Sequence, residues 1–136
     1  MMEFRGRSIS RGFARGEVLI SREPISFYGG VDPDTGVVVE KNHPLEGKSI
    51  KGKILIFPWG KGSTVGSYII YRLAKNHMAP KAIVNIEAEP IVAVGAIISG
   101  IPMIDKVDEK IFDLLDDGDI VEVDGDRGIL RWVEKG

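Results

Sequence analysis

Ile54, Leu55, Ile56 and Phe57 form an unbroken apolar run, stopped by Pro58 and followed by the glycine-rich stretch Trp59-Gly60-Lys61-Gly62-Ser63-Thr64. Four successive apolar residues leave a strand no polar face, so it has to be covered on both sides, as in a parallel sheet lying between other layers. Beyond the turn, Val65, Tyr68, Ile69 and Leu73 recur at helical spacing, and the pattern closes near Asn76 and His77 ahead of Pro80. A strand, a glycine turn and a helix in this order constrain the chain to an α/β architecture.

The remaining sequence agrees with that constraint. Phe4 to Ile20 carries three closely spaced glycines and ends in Val18-Leu19-Ile20, an opening β-segment. Ser26 to Asp34 combines Gly29-Gly30 with an Asp32-Pro33 step, a structured loop that leads to a short strand at Val37-Val39. The pattern places strands near 54–57, 82–86 and 102–104, with helices at about 64–76, 90–99 and 108–115. Pro90 and Gly100 frame the second helix as start and stop. Asp119-Val123 and Ile129-Val133 flank the polar turn Asp124-Gly125-Asp126-Arg127-Gly128 and read as a β-hairpin. The fold expected is a central, largely parallel sheet flanked by helices, with a second β layer built from the two chain ends. No repeat and no long linker divides the 136 residues, so residues 1–136 are expected to form one domain.

Composition removes several classes of function. Eighteen basic residues against twenty acidic ones give a net charge of −2, which provides no field for nucleic acid or anionic lipid. The longest apolar run, Pro90 to Ile98, is far shorter than the about 20 residues a bilayer requires. Charges occur throughout Met1 to Ser21, so no leader is read there, and a cytoplasmic chain is expected. With no cysteine, the chain has no disulfide, no thiolate metal site and no ligand for an iron–sulfur cluster.

Chemistry concentrates at Gly60-Lys61-Gly62-Ser63-Thr64. A helix start presents unpaired N–H groups and a partial positive charge, and a lysine two residues before a hydroxyl adds a full charge, so an anion is favoured there. The spacing departs from the GxxxxGK[ST] phosphate loop, and nucleotide hydrolysis is not indicated. Ser63 or Thr64 could equally be a plain helix cap, and the glycines a plain tight turn. His43 and His77 lie in a polar loop and at a helix end, where surface positions are expected, and neither suits Ser63 as a triad partner. A serine whose alkoxide is stabilised by helix N–H groups and a cation can instead exchange a proton with an acidic C–H. Single carboxylates such as Asp32, Glu87 and Glu89 stand near turns, where such groups are usually solvated.

Four segments carry a family resemblance: SFYGGVDPDTG at 26–36, HPLEGKSIKGKILIFPWGKGSTVGSY at 43–68, AIVNIEAEPIVAVGAIISGIPMID at 82–105 and DLLDDGDIVEVDGDRG at 113–128. Over nearly the whole chain these resemble the small subunits of archaeal phosphomevalonate dehydratases, of the aconitase X type. The resemblance implies a swivelling β/β/α domain in a two-subunit hydro-lyase. A large subunit would carry a 4Fe-4S cluster and most of the substrate site, and this chain would bind no cofactor itself. It also implies dehydration of (R)-5-phosphomevalonate to trans-anhydromevalonate 5-phosphate, with Ser63 as proton acceptor. Gly60, Lys61, Gly62, Thr64, Gly29, Gly30 and Asp32 are then the expected substrate-binding residues and a small phosphorylated anion the ligand, with no role for nucleic acid or membrane. Lys61 stands where arginine-bearing turns are familiar among relatives, which keeps the charge and loses the planar fork. A related hydro-lyase such as cis-3-hydroxy-L-proline dehydratase, or a docking domain without chemistry, are the alternative functions.

Overall fold

The structure, a computed structural model, describes residues 2–136. In chain order its elements are β1 (Met2–Arg5), β2 (Arg7–Ser10), β3 (Phe13–Ile20), β4 (Ile25–Ser26), β5 (Ile54–Ile56), β6 (Gly60–Lys61), α1 (Gly66–Lys75), β7 (Ala82–Val84), α2 (Pro90–Ser99), β8 (Met103–Asp105), α3 (Ile111–Leu114), β9 (Ile120–Asp124) and β10 (Ile129–Glu134).

Eight strands run in the order β1-β10-β9-β3-β5-β7-β8-β2. The middle of this sheet, β3-β5-β7-β8, is parallel, as the apolar run at 54–57 requires. The long strand β3 serves two layers: Phe13 to Glu17 pair antiparallel with β9, and Val18 to Ile20 pair parallel with β5. β1 and β2 occupy opposite ends of the order although only Gly6 separates them. The sheet therefore closes on itself at Gly6, whose amide donates to the Gly128 carbonyl at 2.7 Å. A Cβ at residue 6 would run into the Asp105 backbone carbonyl, so this passage needs glycine.

Alternation along the strands divides the core in two. Val18, Ile54, Ile56, Ala82, Val84 and Ile104 point inward to meet Phe4, Val121, Val123 and Leu130 of the second β layer. Leu19, Leu55, Phe57, Ile83 and Met103 point the other way, against Ile69, Ile70 and Leu73 of α1 and Val92 and Ala96 of α2. Two β layers and one helical layer result, the β/β/α architecture expected.

Several boundaries differ from the sequence reading. α1 starts at Gly66, two residues later than expected, because the Ser63 backbone and side chain close a turn of their own first. Val37–Val39 makes only isolated bridges, Val38 to Val31 and Val37 to Ser49. The third helix shortens to one turn. His43 is a correction: it is buried, not on the surface. Its Nδ1 accepts from the Leu45 amide at 3.0 Å, which leaves Nε2 to donate to the Pro24 carbonyl at 3.0 Å. A histidine that satisfies two backbone groups, one of them fully buried, has a reason to be inside that the polar composition of its loop conceals. His77 is exposed, in a left-handed backbone conformation with φ +59° just after α1.

Candidate functional site

The parallel strands deliver four chain crossings to one edge, at Ile20, Ile56, Val84 and Asp105. Open parallel sheets place ligands at this carboxyl edge. Backbone hydrogen bonds tie the crossings together: the Ser21 amide donates to Ile56, Ile86 and Glu87 amides to Pro58, and Lys106 to Ile86. The glycine-rich turn sits on this platform. Its first part is β6, which pairs parallel with β4, Ile25 opposite Gly60 and Ser26 opposite Lys61. Gly60 is buried against α2, and a Cβ there would overlap the Val92 side chain. Its lack of a side chain lets β6 press on the helix.

A cleft of about 410 Å³ opens between the two loops so joined, lined by Ser26, Tyr28, Gly29, Gly30, Glu40, Lys61 and Gly62. Four of the expected residues, Gly29, Gly30, Lys61 and Gly62, thus meet although about 30 positions separate the two pairs in sequence. Gly62 has φ +94° and a Cβ there would strike the Ser26 hydroxyl oxygen, so both backbone and space demand glycine. Lys61 Nζ donates to Glu40 Oε2 at 3.0 Å.

Ser63 follows directly and is exposed. Its Oγ accepts the Val65 amide at 3.1 Å, and its carbonyl accepts the Gly66 amide at 3.0 Å. Neither Ser63 nor Thr64 caps α1; the cap position is Val65, which makes no side-chain cap bond. An amide already aimed at Oγ, in front of a helix N-terminus, supplies the donor that a serine alkoxide needs. Among the described residues no side chain accepts the Ser63 proton, so a triad is not built. Thr64 is exposed beside it, and its carbonyl accepts from Ser67 Oγ at 3.3 Å.

Asp32 lies outside the lining of the cleft. Its carboxylate accepts the Asp34 amide at 2.8 Å and its carbonyl the Gly36 amide at 2.8 Å, so it shapes the 32–36 turn. Glu89 caps α2 through the Ile91 and Val92 amides, and Glu87 pairs with Lys106. Among the described residues no group of three or more His, Asp or Glu side chains is placed to hold a metal ion.

The family model for the aconitase X swivel domain matches residues 3–132. The chain belongs to the aconitase X swivel domain family. The phosphomevalonate dehydratase small subunit of Methanosarcina mazei is 61% identical over 135 residues, covering 99% of this chain and 94% of that one. The same-named subunit of Methanothermobacter thermautotrophicus is 57% identical, covering 96% and 100%. The crystal structure of holo-form aconitase X from Thermococcus kodakaraensis superimposes with a TM-score of 0.94 at 55% identity, covering 98% of this chain and all of that one. A 3-isopropylmalate dehydratase structure from Methanocaldococcus jannaschii gives 0.58 at 18% identity, covering 92% and 84%, a likeness of fold alone.

In this aconitase X swivel domain the sequence reading missed Ser26, Tyr28 and Glu40. Tyr28 is 54% exposed at the mouth of the cleft. A tyrosine beside Gly-Gly could have drawn attention, but Glu40 lies in a polar stretch with nothing local to mark it.

Proposed function

We propose that this chain is the small subunit of a phosphomevalonate dehydratase, acting as a single swivelling domain over residues 1–136. In this reading (R)-5-phosphomevalonate loses water to give trans-anhydromevalonate 5-phosphate. The observation that carries it is the end-to-end likeness to archaeal small subunits so named, 61% over 135 residues in one case, together with an exposed serine on the glycine turn.

Dehydration of a 3-hydroxy acid breaks a C–H bond beside the carboxylate and a C–O bond one carbon further on. The electron pair from the C–H bond becomes the new double bond, and the C–O pair leaves with the hydroxyl. Breaking the C–H bond is assigned to Ser63, whose alkoxide takes the proton and is stabilised by the Val65 amide and the start of α1. Lys61, Gly29, Gly30, Gly62 and Thr64 are assigned to hold the anionic substrate, with Gly60 and Asp32 shaping the two loops around it. Departure of the hydroxyl needs Lewis-acid help, which a 4Fe-4S cluster would supply. A chain without cysteine does not fit that group, so the cluster is assigned to the large subunit and no step is routed through it here. The chain is assigned to the cytoplasm; no helix among its described residues is long and apolar enough to cross a membrane.

Dehydratase activity toward 5-phosphomevalonate should appear when this chain is reconstituted with its large subunit and be absent from this chain alone. Turnover by the isolated chain would overturn the division of labour, and no turnover by the assembled pair would overturn the substrate.

A further inference from the structure

Between Glu46 and Glu87 the chain carries seven lysines and arginines and no acidic residue. Lys61 belongs to this basic stretch, and it is the one cation lining the cleft among the described residues. The fold nevertheless brings a carboxylate to it from another loop. Glu40 is half-buried, and its backbone is fixed on Gly30, whose carbonyl accepts both the Val39 amide at 2.8 Å and the Glu40 amide at 3.3 Å. The absence of a side chain at residue 30 makes room for the carboxylate: a Cβ there would lie 3.3 Å from Glu40 Oε1.

An ordinary surface ion pair forms where two flexible chains happen to meet, and is worth little. This one is held on both sides by backbone, through the Gly30 contacts and through the pairing of Ser26 with Lys61. It is also incompletely used. Lys61 Nζ gives one of its three protons to Oε2, and among the described residues no hydrogen bond reaches Oε1. The cleft therefore presents ammonium donors next to a vacant carboxylate acceptor. A bare anion meets Lys61 together with the repulsion of Glu40. A ligand carrying an anionic oxygen beside a hydroxyl satisfies both, giving the hydroxyl proton to Glu40 and its negative oxygen to Lys61.

We infer that Glu40 is a specificity-determining residue, which restricts the cleft to hydroxylated anions and rejects anions that have no hydroxyl to donate. The inference rests on the proposed function only for the identity of the natural ligand, a phosphorylated 3-hydroxy acid.

Isovalerate and 3-hydroxyisovalerate differ only in that hydroxyl and serve as the probes. Each is titrated into the full chain while the backbone amide NMR signals of Gly29, Gly30 and Gly62 are followed. The wild type should bind the hydroxy acid about fivefold more tightly than isovalerate, the size that a partly exposed charged contact supports. Glu40→Gln should bring the ratio to about one, with isovalerate gaining affinity because Lys61 is released, and Glu40→Asp should keep the wild-type preference. The same spectra report whether each variant is folded. A wild type without preference, a Glu40→Gln variant that retains it, or no response to either acid would each overturn the inference. Inactivity of the assembled enzyme on 5-phosphomevalonate would remove the proposed function and leave this comparison of two acids standing by itself.

Discussion

Arg7 and Asp105 meet side-on, Nε and Nη2 of the guanidinium donating to the two carboxylate oxygens at 2.9 and 2.8 Å. The Asp105 side chain is fully buried, and Oδ2 also accepts the Ala88 amide at 2.8 Å. One carboxylate thus fastens the closing strand β2, the last parallel strand β8 and the loop that starts α2. The hydrogen bond and charge of Asp105 hold the Arg7 guanidinium above its ordinary pKa. Replacing Asp105 with Ala should destabilise the chain by about 1–3 kcal/mol through the orphaned Ala88 amide alone. Urea unfolding followed by circular dichroism measures this, and a loss under a few tenths of a kcal/mol would refute the fastening role.

Asp119, just before β9, gives an acid-dependent counterpart. Burial by itself would push its carboxyl up. The Gly136 amide at 2.8 Å, the Asp116 amide at 2.9 Å and the Lys135 ammonium outweigh burial, so its pKa lies below the ordinary carboxylate value. A carboxyl depressed in the folded state stabilises the fold above its unfolded pKa of about 3.9, and that contribution is lost as pH falls through the depressed value. Asp119→Asn should therefore be less stable than wild type at neutral pH, with the gap narrowing below about pH 4. Denaturation midpoints of the two proteins across that range decide it. A gap independent of pH would contradict the assignment.

Gly30 tests the cleft without removing a charge. A Cβ on it would overlap the Ser26 backbone carbonyl, which cannot swing away as a side chain can. Gly30→Ala should cost about 1–3 kcal/mol of stability, as forced overpacking does, and should push the 28–30 loop away from Lys61. Thermal melts give the first quantity. Weaker binding of 3-hydroxyisovalerate at a temperature where the variant is folded gives the second. Wild-type values for both would show that the loop has slack the close approach conceals.

How much of this was legible in the sequence depends on how local the cause was. The apolar run at 54–57 and the alternation after it declare the parallel sheet, because covering a strand on both faces is a property of four adjacent residues. The closure at Gly6 is not local: Met2–Arg5 and Arg7–Ser10 look like one strand, and only the distant partners β10 and β8 divide them between layers. His43 misleads for the same reason, since the Pro24 carbonyl that draws it inside comes from another loop. At the site, the glycines and Lys61 are visible as a turn. Ser26 and Glu40 enter through the pairing of β4 with β6 and through the Gly30 carbonyl, contacts that no spacing rule within 59–64 contains.

Ser63 is the position on which the proposed chemistry turns. It is exposed, it follows a glycine whose φ of +94° no L side chain adopts comfortably, and its oxygen already receives one amide hydrogen bond. Replacing it with Ala removes that oxygen and little else. The Gly66 amide keeps its bond to the residue 63 carbonyl, so the start of α1 should persist. The Val65 amide loses its acceptor at an exposed position, where water replaces it at small cost. Folding and association with the large subunit should therefore survive. Loss of a general base commonly costs about 10²–10⁴ in rate, so kcat of the assembled enzyme should fall by that order with KM changed little. Hydrogen exchange at the substrate C–H, measured in deuterated water, separates the roles further: it should fall together with kcat if Ser63 moves that proton. A variant that keeps its exchange rate and kcat would assign Ser63 to the turn alone and move the base to the partner subunit.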